Sequence, residues 1–129
     1  MKWFMYGVAS ACFLAALSEA IAHEMTPTYP KLRPSHLDNV YVTEMEMFNK
    51  RNDVQFYEIG VFDKDFKPIP FVSKYEVIDL KYLDHVTFDV YIRKQDVSRA
   101  TYICSTSKLR KDDGAKRNPL SSKICSKIK

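Results

Sequence analysis

The sequence predicts an all-β protein, a single antiparallel β-sandwich of about seven short strands. Three observations predict it. Residues 86–92 alternate, with Val86, Phe88, Val90 and Ile92 on one side, the period of a half-buried strand. Residues 41–48 and 54–62 are rich in the aromatic and β-branched types that favour pleated, half-buried surfaces. Extended stretches of this kind recur every ten to fifteen residues between polar or proline turns, and no helical period is persuasive after residue 22.

The first 22 residues read as a secretory signal peptide. Lys2 supplies the positive start, residues 3–17 are apolar or small except Ser10, and Ala20-Ile21-Ala22 is a small-x-small cleavage site. A membrane span needs ~20 apolar residues, and this run is shorter. Cleavage after Ala22 is therefore expected, with no stable membrane span afterwards. A retained anchor and a lipid acceptor at Cys12 are the competing readings.

Residues 23–129 make one domain with a modest core. Residues 23–39 hold Pro27, Pro30 and Pro34, which suit an edge strand or an extended arm because proline cannot donate to a ladder. In 41–48, Tyr41, Thr43, Met45 and Met47 share one face, and Glu44 and Glu46 the other. Residues 49–53 form a polar turn. In 54–62, Tyr57, Ile59 and Val61 face one way while Phe56 and Phe62 face the other, as in a central strand. Gly60 marks a bulge or a close backbone contact. Residues 68–72 are at best a proline-edged strand, and 75–80 is another short one. The polar run 93–98 separates the 86–92 strand from its successor at 100–105. A glycine- and proline-containing loop over 108–120 leads to a last strand at 121–128.

Cys104 and Cys125 remain after leader removal. An even count in an exported chain predicts a disulfide between them, the one internal pairing available. Two free thiols would require a reducing compartment.

Charge is unevenly spread. Residues 108–129 carry eight Lys and Arg against Asp112 and Asp113, whereas residues 23–107 carry eleven bases and thirteen acids. Lys108, Arg110, Lys111, Lys116 and Arg117 form a basic cluster that reads as a solvated, disulfide-closed loop or as a site for an anionic partner. Nucleic acid ranks last, because the cluster holds no aromatic residue for base stacking. Gly60 and Gly114 are too few glycines for a phosphate-cradling loop, and no Cys-x-x-Cys or triad-like motif is present. The chain reads as a non-enzyme with no cofactor.

Tyr102-Ile-Cys104, with Ala100 two residues earlier, resembles the sixth strand of immunoglobulin domains, where such a tyrosine fixes the preceding corner. No tryptophan lies in 23–129 and no cysteine lies on a second-strand candidate, so the usual inter-sheet bridge is excluded. More broadly, residues 25–34, 40–63 and 83–92 resemble the opening strand, the next two strands and a later turn-plus-strand unit of the first domain of periplasmic pilus-assembly chaperones. The resemblance implies an immunoglobulin-like sandwich that binds a protein partner through an exposed strand. It also implies basic residues that hold a partner's carboxylate, and Arg33 is the position matched to one.

The expected function is that of an exported protein-interaction module, an assembly or envelope factor that uses edge-strand pairing. The alternative is a copper carrier. Cleavage after Ala22 makes His23 the N-terminus, and an amine plus an imidazole is a chelate suited to Cu(II), with His36 or His85 as a further nitrogen ligand.

Overall fold

The computed structural model describes residues 23–108 and 121–129. The leader and the basic positions Arg110, Lys111, Lys116 and Arg117 lie outside them.

Two antiparallel sheets face each other. In the first, β3 (Val40–Phe48) is central. Its whole length pairs with β6 (His85–Arg93), from Val40 opposite Arg93 to Phe48 opposite His85. Its other edge takes β1 (Glu24–Thr26) at the Phe48 end and β2 (Arg33–Pro34) at the Val40 end. The second sheet runs β5 (Val77–Asp79), β4 (Phe56–Phe62), β7 (Tyr102–Lys108), β8 (Lys123–Lys127). The Arg33–Asn39 region shows why the prolines are tolerated: Pro34 ends a two-residue edge strand, and Asn39, at φ 60°, turns the chain into β3. Asparagine accepts that left-handed conformation better than most residues do.

The alternation in the sequence sets the core. Met45, Met47, Phe88, Val90 and Ile92 point inward from the first sheet and meet Tyr57, Ile59, Val61 and Ile103 of the second. Glu44, Glu46 and Glu58 take the outward positions. β4 is paired on both edges, as its two apolar faces predict.

Each lateral side of the sandwich is bridged over part of its length by one crossing segment. Beyond β1, the chain passes to the second sheet, where the Thr28 and Pro30 carbonyls accept from the amides of Lys127 (3.0 Å) and Lys129 (2.9 Å). On the opposite side, Val72 exchanges two hydrogen bonds with Tyr91 of β6 (2.9 and 2.8 Å), and the chain then crosses to β5.

Three details differ from the sequence reading. Residues 68–72 make only isolated bridges, Pro68 with Phe62 and Val72 with Tyr91, because prolines at 68 and 70 remove two donors. The polar run after β6 contains one helical turn, α1 (Lys94–Val97), where no helix was expected. It forms because buried Asp96 gathers Arg93 and Arg99, at 2.8 and 2.7 Å. The Arg99 and Arg93 bonds hold its carboxyl below the usual carboxylate range. Gly60 makes no bulge, since the β4–β7 register runs unbroken through Gly60 opposite Cys104. The close approach is that of a side chain and not of a backbone: a Cβ at this position would lie 2.7 Å from the Phe62 ring.

Asn49 ties off the end of the sandwich where β3 hands over to β4. It is fully buried. Its Nδ2 donates to the carbonyls of Val54 and Leu80, both at 2.8 Å, and its Oδ1 accepts from the Tyr57 hydroxyl (2.6 Å) and the Arg51 amide (2.9 Å). Every hydrogen-bonding capacity of the side chain that matters in a dry site is met. Asn49→Ala leaves two buried carbonyls and a buried hydroxyl without partners, so it costs about 3 kcal/mol or more by urea unfolding. The disulfide joins Cys104 to Cys125 directly across β7 and β8, with Cα atoms 4.1 Å apart and 21 residues of separation. Reducing it lowers unfolding free energy by about 3 kcal/mol in the chain-entropy model, read as a shift in the urea midpoint on adding a thiol reductant.

Candidate functional site

The side of the sandwich where β1 meets β8 carries the densest polar chemistry. His23 precedes β1 and is 1 % exposed. Its Nε2 is 2.7 Å from the Ser105 hydroxyl of β7, and its Nδ1 is 3.1 Å from the Ser122 hydroxyl just before β8. The ring leans on Tyr57, with centroids 4.5 Å apart. Behind it, Arg51 is 2.6 Å from Asp53 and reaches Ser122 at 3.5 Å. One imidazole therefore links the first sheet to two strands of the second. Burial, reinforced by the Arg51 charge and opposed by the Ser105 bond, lowers the His23 pKa to about 4. Burial likewise pushes the Tyr57 phenol up to about 12. The site is a neutral clasp. It offers no nucleophile an accessible base, because both ring nitrogens face serines inside the fold.

The outer face of the second sheet carries a different cluster. Cys104, Cys125, Tyr102, Phe62 and Lys123 occupy its outward positions around Gly60. Phe66, held at φ 58° in the turn that Asp63 caps, stacks on Tyr102 at 4.6 Å with the rings 3° from parallel. The Lys123 ammonium lies 4.8 Å from the Phe62 centroid and 5.1 Å from that of Phe66. Such contacts contribute about 0.5–1 kcal/mol each at exposed sites. Tyr102, matched above to a corner-fixing tyrosine, instead packs outward on Phe66.

The predicted site residues are dispersed. Arg33 is exposed on β2, at the Val40 end of the first sheet. Lys108 ends β7 at the opposite end of the second sheet, where its ammonium is 2.6 Å from Glu58. The structure does not bring these two together. The three histidines are also apart. His36 meets the edge of Tyr91, His85 lies 3.8 Å from Glu46, and His23 is in the clasp. The set of nitrogens expected for copper is not assembled, and no group of three His, Cys, Asp or Glu side chains placed to hold a metal occurs among the described residues. No helix among them is long and apolar enough to cross a membrane.

Sequence reading missed Asn49, Ser105 and Ser122 as partners of buried groups. The available signal was serine at the inward positions 105 and 107 of an otherwise apolar strand, which calls for a buried polar partner.

No family model matches the chain, and no curated protein sequence matches it. Solved structures do. The E. coli chaperone DraB superposes with a TM-score of 0.64 at 16 % identity, covering 84 % of this chain and 53 % of DraB. The complex of the Salmonella enterica SafA pilin with the SafB chaperone gives 0.62 at 13 % identity, covering 86 % of this chain and 54 % of the matched chain. These likenesses establish the fold, that of the immunoglobulin-like sandwich of pilus-assembly chaperones. The chain spans about half the length of the chaperone chains that it matches.

The clasp makes stability pH-dependent. The unfolded histidine binds a proton near its ordinary value of 6.5, and the folded one only near 4. Between those values the unfolded state holds more protons, so stability falls as pH drops from about 6.5 to 4. The loss approaches about 3 kcal/mol. His23→Gln, which keeps hydrogen-bonding capacity without titrating, flattens urea midpoints across that window.

Proposed function

We propose that the chain is an exported, non-enzymatic protein-interaction module of the chaperone-like kind, acting in assembly at the cell envelope. The observation that carries this reading is the fold: the sandwich that superposes on DraB and SafB covers more than four-fifths of the chain. The SafB structure contains a pilin subunit as partner, which supports a protein rather than a small molecule as ligand here. The β1/β8 side supports the same reading. There β8 is an outer strand of its sheet, held at its far end by the amide bonds to Thr28 and Pro30. Lys123 and Lys127 project from its outward face. An outer strand flanked by ammonium groups suits a partner strand with acidic or carboxylate groups beside it. The pair Cys104–Cys125 supports export, because such bridges persist in oxidising compartments.

Tagged protein purified from envelope fractions after cross-linking is expected to carry a specific protein partner. Lys123→Glu with Lys127→Glu reduces its recovery several-fold, while a control reversal at exposed Lys81 leaves it unchanged. Recovery of no specific partner, or equal loss in both variants, contradicts the proposal.

A further inference from the structure

The other lateral side, where β6 lies above β5, is built differently. Tyr91 directs both its amide and its carbonyl outward to Val72. Strand periodicity then directs the same groups of Asp89, Thr87 and His85 outward as well. Among the described residues these groups have no backbone partner, because the crossing segment leaves β6 after Val72. Ser73 Oγ is the one buried side-chain oxygen among the described residues that lacks a hydrogen bond, and such an orphan is uncommon in a finished interior.

The charge beside this open edge is unbalanced. Glu44 and Asp89 stand directly opposite each other across β3 and β6. Like charges in that relation are destabilising. They share a hollow of about 270 Å³ with Thr87, Tyr91 and Lys74, the single cation lining it. Glu46, one register step further along the same face, faces Thr87. Across Tyr91 lies a second, mostly apolar hollow of about 450 Å³, lined by Leu37, Val40, Phe71 and Val72 among others. Leu37 is 52 % and Val72 69 % exposed. The edge thus offers unpaired backbone groups, a carboxylate pair with one counter-charge and an apolar seat in line.

We propose that the β6 edge receives a short extended polypeptide segment as an added strand, with a basic side chain set against Glu44 and Asp89 and an apolar one toward Leu37 and Val72. Backbone bonds to Thr87 and Asp89 supply affinity, and the carboxylates select for positive charge. A second copy of this chain is a poorer occupant. Antiparallel pairing of β6 with itself sets Asp89 beside another copy's acidic face, and Val72 already blocks the registers that reach Arg93. The edge lies on the opposite side of the sandwich from β8, so its occupancy is independent of the interaction proposed there.

The test uses two synthetic peptides, acetyl-Val-Lys-Val-Lys-Val-amide and its glutamate counterpart, titrated into the oxidised protein and followed by amide chemical shifts. The lysine peptide is expected to shift and protect the Thr87 and Asp89 amides and to bind about tenfold more tightly at low salt. Glu44→Lys with Asp89→Lys reverses the preference. Thr87→Pro removes only an outward donor and weakens both peptides while the remaining spectrum stays folded. Shifts centred elsewhere, equal binding of the two peptides, or a preference unchanged by the double reversal overturn the proposal.

Discussion

Asn49 is the constraint on which the rest of the sandwich depends. A two-sheet fold must return its chain from one layer to the other, and the turn that does so exposes backbone groups at the edge of an apolar core. Here a single carboxamide meets the carbonyls of Val54 and Leu80, the Arg51 amide and the Tyr57 hydroxyl at once. That fixes the distance between β3 and β4 and also the loop that precedes β6. Tyr57 then presents its ring to His23, and His23 reaches Ser105 and Ser122. The polar chain runs from one layer to the other, and the charged group it touches, Arg51, is itself buried. Arg51, the charge nearest to it, is paired with Asp53.

With one end closed by this network, the lateral sides are left to short crossings. The Thr26–Pro27 peptide, which is cis, begins one crossing, and Val72 begins the other. Neither crossing lines a whole strand. A sandwich bridged in this way keeps hydrogen-bonding edges as its main chemical resource, and it shares its fold with pilus-assembly chaperones. The two sides differ in charge: ammonium groups accompany β8, whereas carboxylates accompany β6. The two proposed interactions therefore call for partner segments of opposite charge.

Much of the fold was legible because period-two patterning maps directly onto burial. Met45 and Met47 alternate with Glu44 and Glu46 in the sequence as they do in space, and the Cys104–Cys125 pair was expected from the even cysteine count after residue 22 together with the expectation of export. What was not legible depends on register. That Glu44 stands against Asp89, or that Gly60 lies opposite Cys104, follows from pairing partners dozens of residues apart. The histidine at position 23 shows the same limit. Local sequence marks it as a terminus suited to metal, whereas two serines from the far end of the chain make it a buried clasp. Arg33, matched through the resemblance, and Lys108, the first residue of the basic run, fall at opposite ends of different sheets, a separation that local sequence does not carry.

Native-state hydrogen exchange on the oxidised protein tests the central claim, that a closed polar end leaves the lateral edges open. The Arg51 backbone amide and the Asn49 side-chain amide are predicted to exchange only through global unfolding. Along β6, the amides of Phe88 and Val90 are predicted to be slow and those of Thr87 and Asp89 fast. Rapid exchange at Asn49 and Arg51, or equal protection at all four β6 positions, would contradict it.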